Sequence, residues 1–164
     1  MRDRTEALAA QFEQNSQEVI TFTENCSEDH WRLITEDEGW SVGVVCRHIA
    51  RGFEVHPQLV RRAATGQPMP TEYTWDAVHE SNAQQAREWA DCTKGETLTL
   101  LRYHSGEAVV VVRQLSNAQL DRTVLFPLAG DEPISTQQIV EAMIDHPRIH
   151  LKNIQVTVRG SHPS

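Results

Sequence analysis

Histidine is the residue type in this chain whose number and spacing best suit chemistry, with 8 copies in 164 residues. In the last predicted helix, one stripe at about 100° per residue carries His146 and His150. Their spacing places both imidazoles on one helix face, one turn apart, where they can bind a common metal ion. The alternative is a pair of core histidines satisfied by hydrogen bonds, because His-x-x-x-His often arises by chance. The whole stripe consists of Ile139, Met143, His146, His150 and Ile154.

A metal ion held by these two side chains needs a third ligand from another helix. His48 is the first candidate, since its helical neighbours are apolar and Gly52, one turn later, leaves room beside it. His56 competes with His48, because it continues the apolar stripe of Ile49 and Phe53. Helical spacing leaves the two candidates open, and a lone histidine is more often half-exposed than a ligand.

Other catalytic templates are absent from the sequence: no glycine-rich phosphate loop, nucleophile elbow or paired-cysteine zinc spacing occurs. Cys46 and His48 point to opposite sides of their helix, so they cannot share a site. We expect the acidic run Glu36-Asp37-Glu38 to be a solvated loop. Asp145 and Glu141 are candidate hydrogen-bond acceptors for a ligand histidine, although exposure is the simpler expectation for both.

The elements that must position these histidines are predicted to be helices. Ser41 is a good N-cap for the helix that carries His48, and capping boxes at Thr93 and Ser135 mark two further helix starts. The run Val109–Val112 favours a strand by composition, but the helical period of the longer window overrides that preference. The predicted helices cover residues 3–26, 41–65, 76–92, 93–115 and 135–158, of which the third is the weakest.

Four long amphipathic helices predict an all-α, four-helix bundle with an additional short helical segment. Ser116 can cap a short turn, and the Pro- and Gly-rich loop over 122–134 has room for a small hairpin. Pro147 is expected to kink the last helix and free the carbonyl of Met143. We predict one domain over residues 1–158 and a frayed tail over 159–164.

Charge and composition exclude several function classes. The formal net charge is −8, so a general nucleic-acid or anionic-membrane binder is not expected. No apolar run approaches the roughly 20 residues of a membrane helix, and no secretory signal is expected at the start. Three widely spaced cysteines, Cys26, Cys46 and Cys92, are typical of free thiols in a reducing compartment, which predicts a cytoplasmic protein.

Several motifs in order resemble the DinB-like (damage-inducible) superfamily. Gly39-Trp40-Ser41-Val42-Gly43 followed by His48-Ile49-Ala50 is similar to the second-helix motif of that family. Asp145-His146-Pro147-Arg148-Ile149-His150-Leu151 is similar to its closing motif, and Asn82 and the stretch 115–121 also fit the family pattern. The resemblance runs from the first helix to about residue 158.

The resemblance implies a four-helix bundle in which His48, His146 and His150 hold a divalent metal ion. It thereby selects His48 over His56 as the third ligand. Zinc or nickel is the first expectation, with iron or manganese as alternatives, because imidazole suits several of these ions. A homodimer is also implied, with Val110, Leu100 and Trp89 as candidate outer-face residues.

Related branches include mycothiol-dependent maleylpyruvate isomerase-like and bacillithiol S-transferase-like proteins. They imply a thiol-dependent transferase or isomerase that takes a low-molecular-weight thiol and a small electrophile. A metal-dependent hydrolase and a non-catalytic, stress-related binding or dimerisation module are the alternatives. The catalytic residues stay unknown, with His56 and Asn82 as the candidates for proton transfer.

Overall fold

The computed structural model describes residues 3–161, and helices dominate this part of the chain. None of the described helices is long and apolar enough to cross a membrane. The elements are α1 (Arg4–Asn25), α2 (Glu28–Trp31), α3 (Val42–Ala64), α4 (Trp75–Glu88), α5 (Lys94–Arg113), α6 (Asn117–Leu120), β1 (Thr123–Val124), β2 (Ile134–Ser135) and α7 (Thr136–Gly160).

Four of these helices form the bundle that the apolar stripes predict. α1 and α3 each pack against both α5 and α7, and the core lies among the four. Phe12 of α1 meets Phe53 of α3 edge to face, with ring centroids 5.2 Å apart, and both side chains are fully buried. Edge-to-face aromatic pairs of this kind add to the free energy gained by burying their area. The all-α, four-helix-bundle prediction is confirmed.

The helix starts also follow the local sequence. The Ser41 hydroxyl accepts a hydrogen bond from the backbone N–H of Val44 at 3.1 Å, so it caps α3 as predicted. At the start of α7, Ser135 and Gln138 form the full reciprocal capping box. Two backbone N–H groups that have no partner inside the helix are thereby satisfied at that end.

Two predictions for the second half of the chain are confirmed. The valine run Val109–Val112 is helical within α5, where Val109, Val111 and Val112 are buried. Burial against neighbouring helices therefore outweighs the β-propensity of valine. The small hairpin also forms, with Thr123 paired to Ser135 and Val124 to Ile134.

The last helix ends close to its predicted end, and the outer faces depart from the predictions in part. α7 is helical through Pro147 and ends at Gly160, two residues beyond the predicted end, while residues 162–164 of the predicted tail lie outside the described part. Val110 is 47% exposed, as an outer-face residue should be. Leu100 and Trp89 are half-buried instead, and the Arg47 guanidinium covers the Trp89 ring at 5.2 Å from its centroid.

A close approach at Gly43 locks the short helix α2 against the first turn of α3. A Cβ at position 43 would lie 2.5 Å from Trp31 Nε1, closer than side chains can pack. The Trp31 indole N–H donates to the carbonyl of Cys92 at 2.9 Å, which links α2 to the segment before α5. Glycine at 43 is therefore required for this seating of Trp31.

We expect Gly43→Ala to lower the free energy of unfolding by about 1–3 kcal/mol, because the new methyl group displaces the Trp31 ring and its hydrogen bond. Urea denaturation followed by circular dichroism measures the change. Gly106→Ala is the matched control, since an added Cβ in the middle of α5 meets no atom within 4 Å. The free energy of unfolding of that control should rise by about 0.5–1 kcal/mol. Equal stability of the two variants would contradict the requirement for glycine at position 43.

Candidate metal centre

The loop over residues 33–41, which connects α2 to α3, is a tightly hydrogen-bonded turn. The Thr35 N–H donates to the carbonyl of Trp40 at 2.8 Å, and the Val42 N–H donates to the carbonyl of Leu33 at 2.8 Å. Gly39 has φ = +68°, in the left-handed region that favours glycine. The turn places Glu38 and Trp40 beside the N-terminal half of α3.

Three histidine side chains meet between α3 and α7. One ring nitrogen each from His48, His146 and His150 lies within 4.8 Å of the others. The ring centroids are 5.1 Å apart for His48 and His146, 4.9 Å for His48 and His150, and 4.6 Å for His146 and His150. We call these residues the histidine triad, and they are the three that the family resemblance implies.

The spacing of the triad suits a divalent ion. The Nε2 atoms of His48 and His146 are 3.2 Å apart. Two nitrogens that each lie about 2.0–2.1 Å from one zinc ion are separated by about 2.8–3.0 Å at an octahedral angle and about 3.3–3.4 Å at a tetrahedral angle. Three imidazoles leave coordination positions for water or substrate, which is typical of catalytic rather than structural zinc sites.

Glu38 orients the third ring of the triad. His150 Nδ1 lies 2.8 Å from Glu38 Oε1, and the two side chains are only 17% and 14% exposed. An ionised carboxylate only accepts hydrogen bonds, so Nδ1 carries the hydrogen and Nε2 keeps its lone pair for a metal. The hydrogen bond from His150 lowers the pKa of Glu38, which keeps this carboxylate ionised.

The sequence-based expectation for the acidic run 36–38 was wrong at Glu38, which turns into the site. The two carboxylates considered as histidine acceptors lie elsewhere: Asp145 pairs with Arg148 at 2.9 Å, and Glu141 accepts from Gln137 at 2.9 Å. The signal that could have found Glu38 is its place directly before the Gly39-Trp40 motif. An exposed run of three acidic residues gives no reason to single out one of them.

Burial keeps the imidazoles of His48 and His146 neutral. Desolvation, followed by repulsion from the neighbouring imidazoles, lowers the pKa of His48 to about 3 and holds the pKa of His146 well below its usual value. Neutral imidazole is the form that binds metal. His146 Nδ1 is buried and has no hydrogen-bond partner among the described residues, so this ring is only partly satisfied by the protein.

Gly52 provides the space that the triad occupies. A Cβ at position 52 would lie 2.8 Å from His146 Cε1 and 3.1 Å from His56 Cε1. The room that the sequence predicts beside His48 is therefore filled by two imidazole rings from α3 and α7. A side chain at position 52 would therefore collide with the His146 ring in its present place.

His56 lies next to the triad but outside it. Its ring centroid is 4.7 Å from that of His146, and burial lowers its pKa to about 4. Its nitrogens are not part of the group within 4.8 Å that the described histidines form. His56 and Asn82 both line the cavity onto which the triad opens.

This cavity, which we call the metal cavity, has a volume of about 820 Å³. It lies between α3, α4, α7 and the loop over 33–41, and none of the three cysteines lines it. Cys46 is instead buried near Thr23, at 3.6 Å from the hydroxyl oxygen, and burial raises its pKa to about 12. The cysteines of this chain are therefore not placed to act as nucleophiles in the cavity.

Comparison with known proteins agrees with this architecture. A family model described as the DinB superfamily matches residues 11–154. YfiT from Bacillus subtilis, described as a probable metal-dependent hydrolase with an unusual four-helix bundle topology, is 18% identical, with 97% of this chain and 88% of YfiT covered and a TM-score of 0.77. No match is found among curated proteins.

Two further solved structures share the fold. A mycothiol-dependent maleylpyruvate isomerase is 15% identical with a TM-score of 0.72, covering 94% of this chain and 63% of the isomerase. A DinB-like protein from Bacillus subtilis is 18% identical with a TM-score of 0.63, covering 96% and 94% of the two chains. At 63% coverage, this chain spans less than two thirds of the length of the maleylpyruvate isomerase. Identities this low establish the common bundle, not a common reaction.

We expect Glu38→Gln to weaken metal binding about ten- to a hundredfold, since it removes the charge that orients His150. Isothermal titration of the metal-free protein with zinc measures the change. Glu36→Gln is the control, because it removes a charge from the same loop at an exposed position. Equal affinities for the two variants would show that Glu38 does not support a metal ligand.

A second variant tests the space beside the triad. Gly52→Ala places a methyl group against His146 and should weaken zinc binding by about tenfold or more, comparable to the loss of an orienting contact. Gly106→Ala, where the added methyl group meets nothing, should bind zinc as the wild type does. Unchanged affinity in Gly52→Ala would mean that the position of His146 does not control binding.

Proposed function

The chain belongs to the DinB superfamily, and we propose that it is a metal-dependent, thiol-dependent transferase or isomerase. In this proposal His48, His146 and His150 hold one divalent ion. The substrates are a low-molecular-weight thiol and a small electrophile. The observation that carries the proposal is the meeting of nitrogens from three half-buried histidines within 4.8 Å at a cavity of about 820 Å³.

A divalent ion at such a site supplies Lewis acidity, which lowers the pKa of a bound thiol or water so that it reacts near neutral pH. The chain's own residues prepare for this role. His48 and His146 are held neutral by burial, and Glu38 fixes the hydrogen of His150 on Nδ1. No proton therefore has to be removed from His48 or His146 before a metal binds.

The position of the cysteines supports an external nucleophile. None of Cys26, Cys46 and Cys92 lines the metal cavity, so a thiol that reacts there must enter from solution. A volume of about 820 Å³ falls in the upper range of small-molecule sites. It has room for a thiol cosubstrate and a small electrophile together. The mycothiol dependence of the isomerase with the same fold favours this choice.

A metal-dependent hydrolase is the second candidate, because YfiT, which shares the fold, is described as a probable one. In that case water takes the place of the thiol. A non-catalytic binding or dimerisation module is the third reading. The proposed site has three protein ligands, whereas a purely structural zinc site has four, and this argues against the third reading.

Other parts of the prediction stay open to experiment. His56 and Asn82 line the metal cavity, and we propose them for proton transfer and substrate orientation, respectively. Asparagine only donates and accepts hydrogen bonds, so His56 is the proton-transfer candidate of the two. Zinc or nickel, with iron or manganese as alternatives, the homodimer and the cytoplasmic location remain predictions.

The metal content of tag-free protein, measured by elemental mass spectrometry, tests the ligand assignment. We expect about one divalent ion per chain, lost in His48→Ala and His150→Ala and retained in His56→Ala. His56→Ala is the matched control, since it removes a half-buried imidazole from the same helix. Loss of metal in His56→Ala with retention in His48→Ala would overturn the assignment.

The same samples distinguish the three functions. We expect one of the three thiols glutathione, bacillithiol and mycothiol to raise the melting temperature of the metal-loaded protein and not that of the metal-free protein. The reason is that a ligand that binds the native state stabilises it. The loaded protein should then conjugate that thiol to 1-chloro-2,4-dinitrobenzene. Metal-dependent cleavage of p-nitrophenyl acetate without any thiol would favour the hydrolase. Neither activity and no thiol response would favour the binding module.

A further inference from the structure

A second cavity adjoins the metal cavity and has a volume of about 480 Å³. We call it the apolar compartment. It lies between α3, one face of α7 and the segment over 126–134 that contains part of the hairpin. Both cavities are lined by His56, Tyr73, Trp75, Leu128 and His146. The compartment therefore opens on the same side chains that border the triad.

The lining of the compartment offers little to a charged group. Most of it is apolar, and no lysine or arginine is among the described residues that line it. Its carboxylate, Asp145, already pairs with Arg148, and the Gln138 side chain already accepts from the backbone N–H of Ser135 at 2.8 Å. An apolar ligand group held here is stabilised by the burial of its surface, and it loses few hydrogen bonds to water. The apolar lining residues are Leu59, Phe126, Leu128, Ala129, Ile134, Ile139, Ala142, Met143 and Ile149.

Two contacts hold the boundary between the cavities. The Trp75 indole N–H donates to the carbonyl of Leu128 at 3.1 Å. The Tyr73 ring stacks on Phe126, with centroids 6.0 Å apart and 11° between the planes. These contacts tie the segment before α4 to the segment after β1, so the boundary is built from two separate parts of the chain.

Two exposed apolar side chains border this region. Trp75 is 55% exposed and Ile149 is 56% exposed. Both line the compartment. Large apolar side chains left in water around a concave surface are typical of ligand sites.

We propose that the apolar compartment binds an uncharged hydrocarbon or aromatic group of the substrate whose reactive atom lies at the triad. This inference rests on the proposed function and narrows its electrophile to a molecule with an apolar part. The volume suffices, since an engineered cavity of about 150 Å³ already holds benzene. The lining favours an uncharged group over a charged one, because a charged group placed in this compartment would find no counter-ion.

The first test uses metal-free protein, so it does not depend on the metal. 1-Hexanol is titrated into protein with labelled isoleucine methyl groups and followed by NMR. We expect saturable shifts at Ile134, Ile139 and Ile149, and none at the core residues Ile20 and Ile49. Absence of saturable shifts at the compartment methyls would overturn the inference.

Filling the compartment provides the matched variant. Ala142 lines it from an exposed position on α7, so Ala142→Phe should fold normally and abolish the shifts. Ala7→Phe makes the same substitution at an exposed site on α1 and should leave them unchanged. Shifts that persist in Ala142→Phe would place the probe elsewhere and contradict the proposal.

The second test connects the compartment to the triad. Acetohydroxamate and hexanohydroxamate, which chelate through the same two oxygens, are titrated into zinc-loaded protein by calorimetry. The longer chain should bind more tightly by up to about fourfold per added methylene, the gain expected for full burial. Ala142→Phe should remove that gain and leave the affinity for acetohydroxamate unchanged.

The outcomes of the two tests separate the proposals. If acetohydroxamate does not bind the zinc-loaded protein, the proposed function fails, and the 1-hexanol result still decides whether the compartment binds apolar groups. If acetohydroxamate binds but chain length has no effect, the inference about the compartment is wrong and the metal site stands.

Discussion

Three imidazole rings packed against one another between α3 and α7 are the constraint on which the rest of this structure depends. Placing polar rings in a low-dielectric interior costs free energy unless their nitrogens are satisfied. His150 has the carboxylate of Glu38, and His48 and His146 share one contact at 3.2 Å. His146 Nδ1 has no partner among the described residues. One nitrogen from each ring of the triad lies within 4.8 Å of the others, a spacing that suits one divalent ion.

The surrounding elements serve this arrangement. One turn of α7 separates His146 from His150, and the absence of a side chain at Gly52 lets the rings of α7 approach α3. The loop over 33–41 carries Glu38 to His150. α4, which has no buried residues of its own, contributes one wall of the metal cavity instead of core packing. Two helices thus hold the histidine triad, and the less buried segments shape access to it.

The likeness to other DinB-type structures establishes the bundle, at 13–18% identity, and leaves the reaction to the site itself. One fold can support different chemistries in different proteins. In this chain the cavity walls divide the space into a polar part at the triad and an apolar part beside it. α4 and the segment over 126–134 supply part of these walls.

Local spacing by itself determined the bundle helices, their caps and the pairing of His146 with His150, because these features depend on residues a few positions apart in one helix. It could not choose between His48 and His56, which lie eight residues apart on one face of α3. The family resemblance pointed to His48, and the packed structure brings His48 to His150. Glu38 was missed altogether, since its contact with His150 spans 112 positions. The position along α3 at which α7 packs depends on the whole interface between the two helices. The same holds for the fold of the loop over 33–41. Only the tertiary structure therefore decided these two features.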